Sequence, residues 1–334
     1  MEQKPGLNLK KVLVVVLFSL FCGAGIHVGP IPGETLFSDF LVQRPSKVEV
    51  FDPGHQREVS AESEDLVVSL ARVEPCSGCS GGKSFTFEVR DKRRATRSSF
   101  TIRNDTAQAD EIAIVSSSRA IVLGSVSGTT RIVNVVDLST GSVVDFFYCH
   151  FPSVHGRFVA YLKFVPRYST QPGWWSSVYL IYDATASPMQ NRLHQRQGFE
   201  DRVDVGVPIY PPENVERGVY EPMIASEEDA HQLASDGLFW IEDGVLAFVD
   251  RWKGANHLVV VDVRSGIVRP KVQVRRIETV AVLDPARCED AEHPEKLIHV
   301  EEISVPREKS GYVRLHFSPR DSCLRSATLD VPIR

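Results

Sequence analysis

Residues 76–84, "CSGCSGGKS", fit most of four chemical patterns at once. Cys76 and Cys79 make a C-x-x-C, a spacing that serves disulfides, thiol exchange and metal capture. Gly78, Ser80 and Gly82 make a G-x-S-x-G, which exposes a serine nucleophile when a strand turns sharply into a helix. Gly82, Lys83 and Ser84 match the end of a phosphate-binding loop, which also needs strand then helix. A His in place of Ser80 would complete a haem-attachment sequence. The elements on either side of the stretch must decide among these.

Elsewhere the signals for chemistry are sparse. The ten His are scattered and no H-E-x-x-H occurs. His150 and His155 are close in sequence but read as loop residues without further ligands, so neither a metal nor a cofactor is expected. Asn104, Asp105 and Thr106 form a glycosylation sequon, meaningful only in a eukaryotic secretory pathway. Net charge is −5, and the densest basic run, Arg90 to Arg97, reads as a solvated turn. No nucleic-acid partner is expected from that pattern.

The N-terminus defines a compartment. Lys4, Lys10 and Lys11 precede an apolar run from Val12 to Ile26, followed through Gly23, Ala24 and Gly25 by small residues suited to a signal peptidase. Residues 1–25 therefore read as a secretory leader, with an uncleaved anchor over residues 12–28 as the rival. Either way the bulk of the chain, residues 26–334, is exported to a periplasmic or extracellular space. Any membrane contact runs through that segment alone. In an oxidising compartment Cys288 and Cys323 could bridge two late strands, while Cys149 reads as a small buried hydrophobe.

The rest of the 334-residue chain is β in flavour. It is 43% hydrophobic and 24% charged, an ordinary globular balance. Short runs rich in β-branched and aromatic residues alternate with Gly, Ser, Asp and Asn. "VVDLSTGSVV" around Asp137 matches "VVDVRSGIVR" around Asp262: strand, Asp, turn, Gly, strand. The Asp side chain bonds the turn backbone and Gly141 or Gly266 takes the positive φ. Asp183, Asp91 and Asp52 mark looser copies. Asp91 to Asp137 and Asp137 to Asp183 are each 46 residues, whereas Asp183 to Asp262 is 79. A period of about 40–45 residues with four strands per repeat is that of β-propeller blades. The longer gap leaves an insertion, about 186–235, Pro-rich and ending in an expected helix over Ser226–Ser235 with Ser226 as cap. The expected fold is all-β, a propeller of about six or seven four-stranded blades with one Pro-rich, partly helical insertion.

The stretches "HGRFVAYLKFV…SSVYLIYDA" and "DGVLAFVDR…NHLVVVDVRSG" resemble the WD-like propeller repeats of the periplasmic TolB type, over about residues 110–270. The resemblance implies a fold and carries no activity.

Blade geometry converts the repeat into a site. With strands a to d in each blade, the Asp turns are c–d connections, and the b–c loops gather at the opposite end. Those loops hold Arg167, Tyr168, Trp174 and Trp175 in one blade and Arg251, Trp252, Lys253 and Asn256 in another. Trp, Tyr and Arg dominate binding hot spots, and aromatic rings stack on sugars or accept cations. The plainer alternative is that the tryptophans plug a rim; Trp240, on a strand, reads as core. The expected function is therefore an exported binding or scaffold protein holding a protein or glycan partner on the b–c face. The alternative is an exported enzyme acting on glycans at the same face, with the insertion as lid and Asp250 and Asp236 as its few carboxylates.

Residues 76–84 fall within the same repeat pattern. Apolar strands precede and follow them, so they form a b–c loop, and both strand-to-helix patterns fail. What remains is a small disulfide between Cys76 and Cys79, with free thiols or metal capture behind it.

Overall fold

The computed structural model describes residues 58–127, 129–166, 175–191, 205–211, 229–267, 270–278, 283–284, 299–318 and 324–333. All of them belong to the unit Glu49–Arg334. The leader and anchor segment, Asp52, Cys288 and Cys323 lie outside the described residues.

The sequence alternates short strands with turns, and most strands meet their chain neighbours antiparallel. The first sheet is β1 (Ser60–Glu62), β2 (Leu66–Pro75), β3 (Lys83–Asp91) and β4 (Arg97–Ile102). Next come β5 (Gln108–Ser116), β6 (Arg119–Ser127), β7 (Thr130–Asp137) and β8 (Ser142–His155), then β9 (Phe158–Pro166), β10 (Trp175–Asp183) and β11 (Val207–Tyr210). These seven form one hydrogen-bonded sheet that is two meanders sharing β8. Residues Ser142 to Cys149 of β8 pair with β7, and His150 to His155 pair with β9. Phe151, at φ 49°, marks the bend between the two halves. His150 and His155 are thus strand residues, where a loop was expected.

Counting the two meanders that share β8 as the second and third sheets, a fourth contains β12 (Gln232–Leu233), β13 (Phe239–Glu242), β14 (Val245–Trp252), β15 (Ala255–Asp262) and β16 (Lys271–Arg276). A fifth contains β17 (Val300–Ser304), β18 (Tyr312–Phe317) and β19 (Thr328–Pro332). The protein is all-β, built from several antiparallel sheets. Among the described residues no helix is long and apolar enough to cross a membrane.

The repeat Asp has one structural meaning. Asp91, Asp137, Asp183 and Asp262 each end the third strand of a meander. Each carboxylate accepts the backbone N–H two residues on, from Arg93, Ser139, Thr185 and Arg264 at 2.8–3.0 Å. Gly141 and Gly266 adopt φ of 68° and 115° in two of these turns, as a side-chain-closed turn followed by a left-handed residue requires.

Strand alternation assigns the core. On β14, Leu246 and Phe248 face the third meander while Val245, Ala247 and Val249 face the fifth sheet. On β10, Tyr179 and Ile181 face the fourth sheet while Val178, Leu180 and Tyr182 face the second meander. The same split on β6 sends Ala120 and Val122 toward the first sheet and Ile121 and Leu123 toward the third meander. Each of the four apolar clusters therefore lies between consecutive sheets. Central strands buried on both faces read as continuous apolar runs.

Two expectations about the insertion are corrected. Part of it is integral to the fold: β11 is the outer strand of the third meander, and Asn191, in a 3-10 turn over Pro188–Asn191, donates to the Asp183 carbonyl at 2.8 Å. The expected helix over Ser226–Ser235 is absent from its described part, residues 229–235. There Gln232 and Leu233 pair with Arg251 and Asp250, and the Ala234 N–H donates to the Val249 carbonyl at 2.8 Å. The inner edge of β14 offers these residues backbone partners and buries Leu233 and Ala234, which outweighs a weak helix propensity.

Candidate binding site

The b–c ends of the third meander and the fourth sheet lie side by side, joined through the chain entering β12. The His231 carbonyl accepts the Ser177 N–H at 2.8 Å, and the His231 N–H donates to Ser176 Oγ at 3.0 Å. At the far end the a–b turns also meet: Trp240 Nε1 donates to the Ser153 carbonyl at 3.2 Å, and His155 pairs with Asp243 at 3.4 Å. The strands of the two units therefore run in common alignment.

Leu246, Phe248, Asp250 and Trp252 share one face of β14, so the apolar row ends in a carboxylate and an indole. Asp250 is fully buried. A carboxylate there must be paired and hydrogen-bonded. Its Oδ1 accepts the Tyr179 hydroxyl at 2.7 Å and its Oδ2 meets His231 Nδ1 at 2.6 Å. His231 is 2% exposed. Burial, and then the adjacent Asp250, push the Tyr179 hydroxyl well above its ordinary pKa, so it stays protonated and donates.

Rings complete the arrangement. Tyr179 stacks on Phe248 with centroids 4.2 Å apart, and Tyr210 meets His231 edge-on at 5.2 Å. Trp252 lies parallel to His231, at 5.3 Å and 11°, and tilted against His257 at 5.9 Å. The Lys253 ammonium stands 4.6 Å from the Trp252 ring centroid. His257, across from Asp250 in register, has its pKa lowered by burial against the opposing pull of Asp250.

The tip itself is unusual. Lys253 and Gly254 take φ of 50° and 66° between the paired residues Trp252 and Ala255. Two positive φ values in a two-residue hairpin are the type I′ pattern, whose first position favours Asn, Asp or Gly. A lysine there accepts roughly 1 kcal/mol of backbone cost. Its side chain is 58% exposed, with Asp229 at 3.9 Å.

Of the expected binding residues, Arg167, Tyr168 and Trp174 lie outside the described residues. The Trp175 backbone pairs with Pro166 at the start of β10. Trp252 is half-buried beneath Lys253, which is exposed. Arg251 is half-buried and donates through Nε to Asn256 Oδ1 at 3.2 Å. Asn256 is a correction: it is fully buried and positions Arg251, so it presents nothing to a partner. Asp236 is exposed and held by His299, separately from Asp250. Sequence reasoning passed over His231 and Tyr179. The available signal was a carboxylate at a core parity on β14, which demands buried donors nearby.

The loop 76–82 joins β2 to β3, strand to strand, and Cys76 and Cys79 are disulfide-bonded with S–S 2.03 Å. Cys149 is buried, and burial pushes its thiol up to about 12. Among the described residues no group of three or more His, Cys, Asp or Glu is placed to hold a metal ion.

No protein-family model matches the chain, and no curated protein matches it in sequence. Solved structures similar to it include the uncharacterized protein lmo1340 from Listeria monocytogenes, at 12% identity and a TM-score of 0.29. That match covers 83% of this chain and 66% of the other. The hydrazine synthase of Kuenenia stuttgartiensis matches at 12% identity and TM-score 0.33, over 80% and 68%. The β-propeller domain of the trilobed protease from Pyrococcus furiosus matches at 9% identity and TM-score 0.25, over 83% and 98%. At TM-scores this low the likenesses carry no argument about what this chain does.

Proposed function

We propose that this chain is an exported binding protein of propeller-like architecture that holds a protein or glycan partner at the b–c end. The observation that carries this reading is the built support under Lys253. A fixed ammonium rests on Trp252, Trp252 on His231, and His231 on the buried Asp250–Tyr179 pair. Such layering pre-organises an exposed cationic group at little further entropic cost on binding.

Asp250 is the carboxylate that a glycan-acting site at this end would need. Both its oxygens are engaged in the core, so the geometry favours binding over turnover. Consecutive sheets, each packed on the next, support the propeller reading, with about six or seven blades as the expected number. The Cys76–Cys79 disulfide and the apolar leader both support export.

The test compares wild type with a Trp252→Ala/Lys253→Ala variant against immobilised oligosaccharides and co-exported proteins. The reading predicts that whatever the wild type retains, the variant loses, while its melting temperature falls by no more than about 5 °C. Equal retention by a folded variant refutes it.

A further inference from the structure

The fourth sheet ends in an open strand. β16 pairs with β15 along one edge, and among the described residues its other edge has no backbone partner. It is also unusually exposed: every residue but Val272 is open to solvent. Val274 is one of three large apolar side chains exposed among the described residues. Around it, Lys271, Arg275 and Arg276 form no salt bridge with any described residue. Alternation puts Lys271, Gln273 and Arg275 on one face, and Val272, Val274 and Arg276 on the other.

An exposed edge is a template for another strand, and its side chains decide which strand is admitted. A second copy of β16 docked antiparallel about a two-fold centred on Gln273 would set Lys271 opposite Arg275, a like-charge contact that opposes self-pairing. A strand carrying Asp or Glu meets the opposite situation: three exposed cations, none in a salt bridge with a described residue, flank one apolar contact. We propose that β16 is a strand-addition site for an extended acidic segment of a partner protein. Main-chain hydrogen bonds give the affinity, and the cations select acidic over basic or neutral segments. The proposal does not rest on the binding reading given to the Lys253 tip, although the Arg276 end of this strand pairs with His257 of β15.

A fluorescein-labelled peptide of about seven alternating Glu and Val residues is the probe, titrated against the full chain by anisotropy near 0.1 M salt. Binding should weaken at least about tenfold when alternate amides of one set are N-methylated. It should change by less than about twofold when the other set is N-methylated, because only one set faces the edge. A Lys271→Glu/Arg275→Glu/Arg276→Glu variant should lose at least about tenfold in affinity, and the corresponding Lys-Val peptide should not bind wild type. Absence of binding overturns the proposal. So does equal sensitivity, or equal indifference, to the two methylation patterns, since cations that merely guard the edge attract acidic peptide whatever its backbone. The methylation comparison uses wild-type protein and stands even if the charge-reversed variant does not fold.

Discussion

Asp250 sits at the end of an apolar row, and its neighbours explain how a carboxylate is tolerated there. Tyr179 and His231 occupy both oxygens, so removing the acid strands a phenol and an imidazole in the core. Asp250→Ala should cost roughly 3–5 kcal/mol in urea unfolding, whereas a carboxylate held in reserve for catalysis would be nearly neutral. His150 gives a second prediction. Burial pushes its pKa down to about 4 from 6.5, and its ring lies tilted against Phe164. The unfolded chain takes up this proton as pH falls through about 6.5, the folded one only near 4. Stability tied to His150 is therefore intact above pH 6.5 and is lost between there and 4, by roughly 3 kcal/mol. His150→Phe should flatten that part of the stability–pH curve, and an unchanged slope would remove His150 as its cause. At this scale the sequence was half legible. Trp252 and Lys253 announced themselves by type and by their place in a turn. Tyr179 and His231 did not, because 71 and 19 residues separate them from Asp250 and only the packing of two sheets brings the three together.

The hairpin β14–β15 is where element-level stability and function pull apart. Its type I′ tip favours Asn at the position Lys253 holds. Lys253→Asn should raise stability by about 0.5–1 kcal/mol in chemical unfolding while abolishing whatever binding the ammonium supports. A variant that is less stable would mean the ring contact with Trp252 outweighs the backbone term. The Asp turns were readable from sequence because their chemistry is local: one carboxylate, one N–H two residues on, one position of positive φ. β12 was not readable. Two residues of strand have no period of their own, and the sequence around His231 also satisfies helix rules. The edge of β14 decides the matter, and that edge is supplied by residues further along the chain. β11 was hidden for a similar reason, since its pairing with β10 spans a long excursion that reads as an insertion.

At the scale of the molecule, alternation on doubly buried strands sets one apolar cluster between each pair of neighbouring sheets. This arrangement keeps the b–c ends of the third meander and the fourth sheet together. The repeat spacing conveyed the serial character of the fold, since each meander is one period long. Which residues fill each interface depends on strand parity, and the bulges within the strands, such as the shift between Val135 and Val136, break that count. Two opposite ends result, and the binding reading puts its partner at only the b–c one. The most direct measurement places a photo-crosslinking benzoylphenylalanine at position 253, at the b–c tip, or at position 265, in the β15–β16 turn of the opposite end, and irradiates the chain in its native exported setting. The account predicts a covalent adduct from position 253 and none from 265. Adducts from 265 alone, or equally from both, would contradict it.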